Sequence, residues 1–172
     1  MIPQIRRILY TTDLSPNSAY VFRYAINSAD KHDAKIIILY VLEEVSVSTH
    51  AMLSTYLNVE QMKALDQQKR SSVMERIEKQ LKAFSEKELK DQPGLIKRIE
   101  AIEVCEGFPA EEILKKADEL NCDAIVMGTH GKGVLSQTFL GSVTKRVLRR
   151  TRKPVFIIPL PKSESDITFQ DI

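Results

Sequence analysis

The stretch KIIILYVL, Lys35 to Leu42, is almost continuously apolar and β-branched, which constrains what can surround it. A strand with one face in water alternates apolar and polar residues, whereas one without alternation has to be covered on both faces. RILYTT, Arg7 to Thr12, has the same character. Between the two, Ser15-Pro16 supplies a helix cap and an N1 proline, and Ala19, Phe22, Ile26 and Ala29 recur on one helical face. Strand, helix and strand in that order form a βαβ unit, with parallel strands and a right-handed crossover.

The pattern continues along the chain. A polar, weakly patterned segment, EEVSVSTHAMLSTYLNV, leads into a long charged helix from about Glu60 to Glu88, with Val73, Ile77, Leu81 and Phe84 on its inward stripe. Pro93-Gly94 breaks the chain, and Lys97 to Val104 alternates as a third strand, less hydrophobic and suited to a sheet edge. Gly107 and Pro109 introduce a helix carrying Ile113, Leu114, Ala117 and Leu120 inward. Ala124 to Met127 is a short buried strand, Ser142 to Arg150 a helix with Val143, Val147 and Leu148 inward, and Pro154 to Ile158 the last strand. Five strands with helices between successive ones predict an open parallel α/β sheet with helices on both faces, in a single domain over residues 1–160 with a loosely attached tail, 161–172.

Composition narrows the function classes. At 172 residues the chain can build a core without disulfide or metal staples. No apolar run is long enough to span a bilayer, and the N-terminus lacks the long apolar region of a signal peptide, so no membrane role and a cytoplasmic location are expected. A formal charge of +2 argues against a nucleic-acid binder that must neutralise many phosphates. The basic run KRVLRRTRK, Lys145 to Lys153, falls at a helix end, where cations complement the dipole. Cys105 and Cys122 are expected as small core residues. Neither a Cys/His metal cluster nor a serine-histidine-acid or paired-carboxylate arrangement is legible.

The chemistry concentrates in GTHGKGVLSQTFLGS, Gly128 to Ser142, which follows the fourth strand. In open α/β sheets, ligands lie beyond the carboxyl ends of the strands, where the strand order changes direction. Glycine at 128, 131 and 133 permits positive φ or a close backbone approach, and bare amides can then form an anion-binding concavity. Gly141-Ser142 opens the next helix, whose first amides and dipole offer a second anion site. Lys132 is the only cation in the loop, and Ser136, Gln137 and Thr138 add polar groups; His130 has no partner that would make it an acid or base. The stretch reads either as a phosphate cradle or as a plain turn that uses glycine for geometry. It is no Walker A loop, because Lys132 is followed by Gly133 instead of the required serine or threonine.

GTHG, nine residues and then GS resembles the ATP-binding signature of the universal stress protein family. The resemblance extends from Arg6 to about Pro159 and includes an aspartate ending the first strand, a hydrophobic second strand ending in valine, and the last strand KPVFIIP. It implies a Rossmann-like sheet in the order 3-2-1-4-5, akin to the adenine nucleotide alpha hydrolases, and a homodimer formed through the last strand. It also implies bound ATP, with Asp13 near adenine or ribose, Val41 offering backbone groups to adenine, Gly128 and Gly131 lining the nucleotide, and Gly141, Ser142 and Val143 holding phosphates. Lys132 is a further candidate contact from the loop, and Mg²⁺ can join through the phosphates. Asp13 has a structural use as well, since DLSP sequences turn chains and cap helices.

The expected function is therefore regulatory, a stress-response protein whose bound nucleotide sets the state of a homodimer and through it an unidentified protein partner. Slow ATP hydrolysis or nucleotidyl transfer is the enzymatic alternative, although TTDLSPNS lacks a phosphate loop and no base is legible. A nucleotide-independent dimeric adaptor is the third.

Overall fold

In the computed structural model, which describes residues 2–15, 17–43, 59–129 and 140–159, β1 (Arg7–Thr12) is the central strand of a five-stranded sheet. β2 (Lys35–Glu43), β3 (Ile99–Gly107), β4 (Ala124–Gly128) and β5 (Val155–Ile158) complete it in the order β3-β2-β1-β4-β5, and every neighbouring pair is parallel. The expected order is therefore the one observed, with β3 and β5 at the edges.

The two-sided apolarity of β1 and β2 has its cause in the layers above and below. Ile8, Tyr10, Ile36 and Ile38 point to one face, where α1 (Ser18–Lys31) and α2 (Val59–Glu88) pack through Phe22, Ile26, Ile77, Leu81 and Phe84. Leu9, Ile37, Leu39 and Ile125 point to the other, against α3 (Pro109–Glu119) and α4 (Ser142–Arg150), which contribute Ile113, Ala117 and Val147. The rings of Tyr10, Phe22 and Phe84 form a continuous tilted series with centroids 5.5 and 5.2 Å apart. Such contacts add directionality to area burial. The Tyr10 hydroxyl, fully buried, donates to the Ser18 carbonyl at 2.8 Å and so fixes the start of α1 over β1; burial pushes its pKa upward.

Three local expectations need adjustment. α1 starts at Ser18, not Pro16, because residues 12–15 are used in a side-chain-supported turn. β3 starts at Ile99 because Pro93–Arg98 winds into a short 3₁₀ helix first. Leu148 is exposed: the inward face of α4 is Val143, Thr144 and Val147, and the residue after Val147 lies about 100° further round a 3.6-residue helix. Of the two cysteines, Cys122 is buried and Cys105 is only half-buried.

The amino ends of all five strands are pinned by side chains. One Asp123 carboxylate oxygen accepts the Arg6 and Arg7 amides at 2.8 and 2.9 Å, joining the starts of β1 and β4. The Arg7 guanidinium meets Glu100 of β3 at 2.7 Å, and its other end donates to the Leu120 carbonyl. Lys35 at the head of β2 donates to the Lys97 carbonyl, Arg98 pairs with Asp30 and Asp33 at the end of α1, and Lys153 before β5 donates to the Cys122 carbonyl.

Candidate functional site: a crevice at the carboxyl edge

The β1·β2 ladder stops at Thr12↔Tyr40, while β2·β3 continues to Glu43↔Gly107. From Val41 onward, the side of β2 that faced β1 has no strand partner. On the other flank, β1·β4 stops at Tyr10↔Val126, while β4·β5 reaches Gly128↔Ile158. β1 thus ends short between two longer neighbours and leaves a crevice of about 870 Å³ at the topological switch of the sheet. Asp13, Val41, Gly128, Gly141, Ser142 and Val143 all line it. Gly131 and Lys132 lie outside the described residues, as do His130, Gly133, Ser136, Gln137 and Thr138.

Asp13 sits where β1 turns away. The Leu14 amide bonds the Thr12 hydroxyl at 3.2 Å and the Ser15 amide bonds Asp13 Oδ1 at 3.0 Å, two side-chain turns in series. They hold Leu14 at φ 56°, a left-handed conformation that costs a branched residue about 1–2 kcal/mol. Ser18 Oγ also donates to Oδ1. Both structural uses of Asp13 therefore fall on one oxygen. Oδ2 is buried beside the crevice without a hydrogen-bond partner. A buried carboxylate oxygen without a donor is costly, and a donor from a ligand would relieve it.

Across the crevice, α4 presents its N-terminus. The Gly141 amide donates to the Thr129 carbonyl at 2.7 Å and the Thr144 hydroxyl donates to the Gly128 carbonyl at 3.0 Å, so α4 is fastened to the end of β4. With the Gly141 amide engaged and Lys145 the first residue to bond back to Gly141, the amides of Ser142, Val143 and Thr144 are those without intrahelical partners, and Ser142 is exposed. No acidic residue occupies that first turn, so the helix dipole is uncompensated there. Gly128 is not in the left-handed region: it ends β4 in extended pairing, and of the two reasons for a glycine only close backbone approach remains.

Thr144, only 3% exposed, and Glu43, on the crevice rim, were not singled out from sequence. The signal for Thr144 was a polar residue one position along from Val143 on the inward face of a short helix. Gly107 needs glycine for conformation: its φ is +149°, and a Cβ would meet Glu112 Cγ at 2.8 Å. Among the described residues, no group of three or more His, Cys, Asp or Glu side chains gathers to hold a metal ion, and no helix is long and apolar enough to cross a membrane.

Comparison with known proteins agrees with this geometry. The profile of the universal stress protein family matches residues 4–159. Universal stress protein MJ0577 of Methanocaldococcus jannaschii is 29% identical over 156 residues, covering 89% of this chain and 94% of its own. Universal stress protein MJ0531 of the same organism is 31% identical over 159 residues, covering 92% and 85%. The solved structure of MJ0577 superposes with a TM-score of 0.72 at 26% identity, over 94% of this chain and all of the other. A universal stress protein in complex with cAMP shares the fold at a TM-score of 0.52 and 21% identity, covering 91% of this chain and 98% of its own.

Proposed function

The chain belongs to the universal stress protein family, and on that premise we propose that its carboxyl-edge crevice binds ATP and that the bound nucleotide regulates a homodimer in a cytoplasmic stress response. The observation that carries this reading is the buried, donor-less Oδ2 of Asp13, set in the same crevice as the open amides of α4. A nucleoside polyphosphate has the complementary parts, hydroxyl donors on the ribose and anionic oxygens on the phosphates. Asp13 would accept from the ribose, the unpaired edge of β2 at Val41 would meet the adenine edge, and the Ser142 and Val143 amides would cradle phosphate under the helix dipole. Gly128, Gly131, Gly141 and Lys132 belong to the same proposed cradle, and a Mg²⁺ ion would be held chiefly by phosphate oxygens. That a relative has been solved with cAMP supports an adenine nucleotide as ligand class.

The homodimer is proposed through β5, an edge strand whose four residues are all half-buried and which has β4 on one side only. An exposed strand edge is a template for pairing. The Thr129 amide donates to the Ile158 carbonyl while the Thr129 carbonyl accepts the Gly141 amide, so the base of the nucleotide loop and the edge strand share one hydrogen-bonded residue. Nucleotide and dimer state could thereby be linked without turnover.

Calorimetric titration of nucleotide-free protein with ATP, ADP and AMP, with and without Mg²⁺, tests the reading. Saturable ATP binding that is lost in Gly141→Val is the expected result. Folded, nucleotide-free protein that binds none of the three would sink it and leave a nucleotide-independent dimeric adaptor.

A further inference from the structure

A second cleft, of about 260 Å³, opens off the first on the side of α3 and shares Glu43, Pro109, Ser142 and Val143 with it. Its volume lies below the roughly 300–1,000 Å³ of pockets that hold a whole small ligand. Continuity and size suit one end of a molecule whose body lies in the main crevice.

Two residues on this cleft have no role in the fold that accounts for them. Phe108 is the N-cap of α3, a position where serine, threonine, aspartate or asparagine would satisfy a helix amide; it makes no side-chain cap and is 64% exposed. Arg146 lies one turn beyond Ser142 on α4, exposed, and forms no ion pair with any described residue. Arg150, one turn further, does pair, with Glu111. An open aromatic face that lines one cleft with a guanidinium unpaired among the described residues offers a platform on which a nucleobase stacks. Glu43 sharpens the choice. It lines the same cleft, where a carboxylate would repel a terminal phosphate but accept a hydrogen bond from a ribose hydroxyl or an exocyclic amine.

We propose that this cleft is a subsite for a second nucleoside at the far end of a phosphate chain held by the Ser142 and Val143 amides, so that the chain takes dinucleoside polyphosphates. The inference rests on the nucleotide reading of the main crevice and adds to it the stacking role of Phe108 and the charge of Arg146 over the distal phosphates.

The test is a calorimetric comparison of ATP, adenosine 5′-tetraphosphate and diadenosine tetraphosphate, the last two differing by the second adenosine alone. Diadenosine tetraphosphate should bind about tenfold more tightly than adenosine tetraphosphate, the scale of one stacked base. Phe108→Ala should abolish that difference while leaving ATP affinity unchanged, and Phe108→Trp should keep it. Equal affinity of the two tetraphosphates for the wild type, or an advantage that survives Phe108→Ala, overturns the subsite and leaves the ATP site standing. If none of the three ligands binds, the nucleotide reading itself falls, and the subsite with it.

Discussion

At the scale of single residues, Asp13 divides its two oxygens between two tasks, and the division can be tested. Asparagine keeps an acceptor for the Ser15 amide and the Ser18 hydroxyl but replaces the unpartnered oxygen with a donor. Asp13→Asn should therefore leave the melting temperature within a few degrees of wild type and weaken ATP binding by about tenfold or more, the cost of a lost charged hydrogen bond. Asp13→Ala should lower both, because the turn loses its acceptor too. Cys122 offers a second test. Burial pushes its thiol from 9.0 up to about 11, with Arg7 and Lys153 pulling weakly the other way. A folded pKa above the unfolded one means that the neutral buried thiol contributes its full stability below the unfolded value, and that this contribution falls as pH rises from about 9 to about 11. Alkylation of Cys122 in folded protein should be slow at pH 8 and accelerate only towards pH 11, as peptide mapping of labelled protein would show; fast labelling at pH 8 would contradict the burial.

At the scale of elements, α4 decides whether the crevice is a site. Its N-terminus is aimed by the Thr144 hydroxyl on the Gly128 carbonyl. Thr144→Val keeps the volume but orphans that carbonyl, and should cost about 1–3 kcal/mol of stability and reduce ATP affinity, with both recovered in Thr144→Ser. Denaturant melts and calorimetry on the pair separate the hydrogen bond from packing. Periodicity is why the elements themselves were legible: β1, α3 and α4 follow from apolar runs and helical stripes, and the parallel arrangement follows from strands without a polar face. What periodicity does not encode is side-chain-to-backbone turn geometry. It moved the start of α1 past Pro16 and set Leu14 in a left-handed conformation, and the backbone-bonded 3₁₀ turn at Pro93–Arg98 ahead of β3 is equally outside the reach of periodicity. Leu148 failed for a related reason, since apolarity alone does not say which of two adjacent residues faces inward. In the crevice, Gly141 was visible through the glycine-serine pair that opens a helix, and Asp13 and Val41 through the family resemblance, whereas Thr144 and Glu43 depend on which strand outruns which, a property of register that no local pattern carries.

At the scale of the whole molecule, the crevice, through Gly141, and the β5 edge, through Ile158, are both hydrogen-bonded to Thr129. A ligand that binds only the folded state at a hundred times its Kd should raise Tm by about 5–10 °C in a chain of this size. If that ligand also favours the paired edge, sedimentation at several protein concentrations should show a smaller dimer dissociation constant with ATP than without. An unchanged constant would confine the nucleotide to stability. The five pinned strand starts bear on the same question. Mechanically, the sheet is a fan riveted at its handle, where Asp123, Arg7 and Lys153 cross from strand to strand, while along the opposite margin β1 ends short of its two neighbours. If a guest wedges between the ribs there, small rotations about the rivets would carry its arrival to the far rib, β5, as a change of angle.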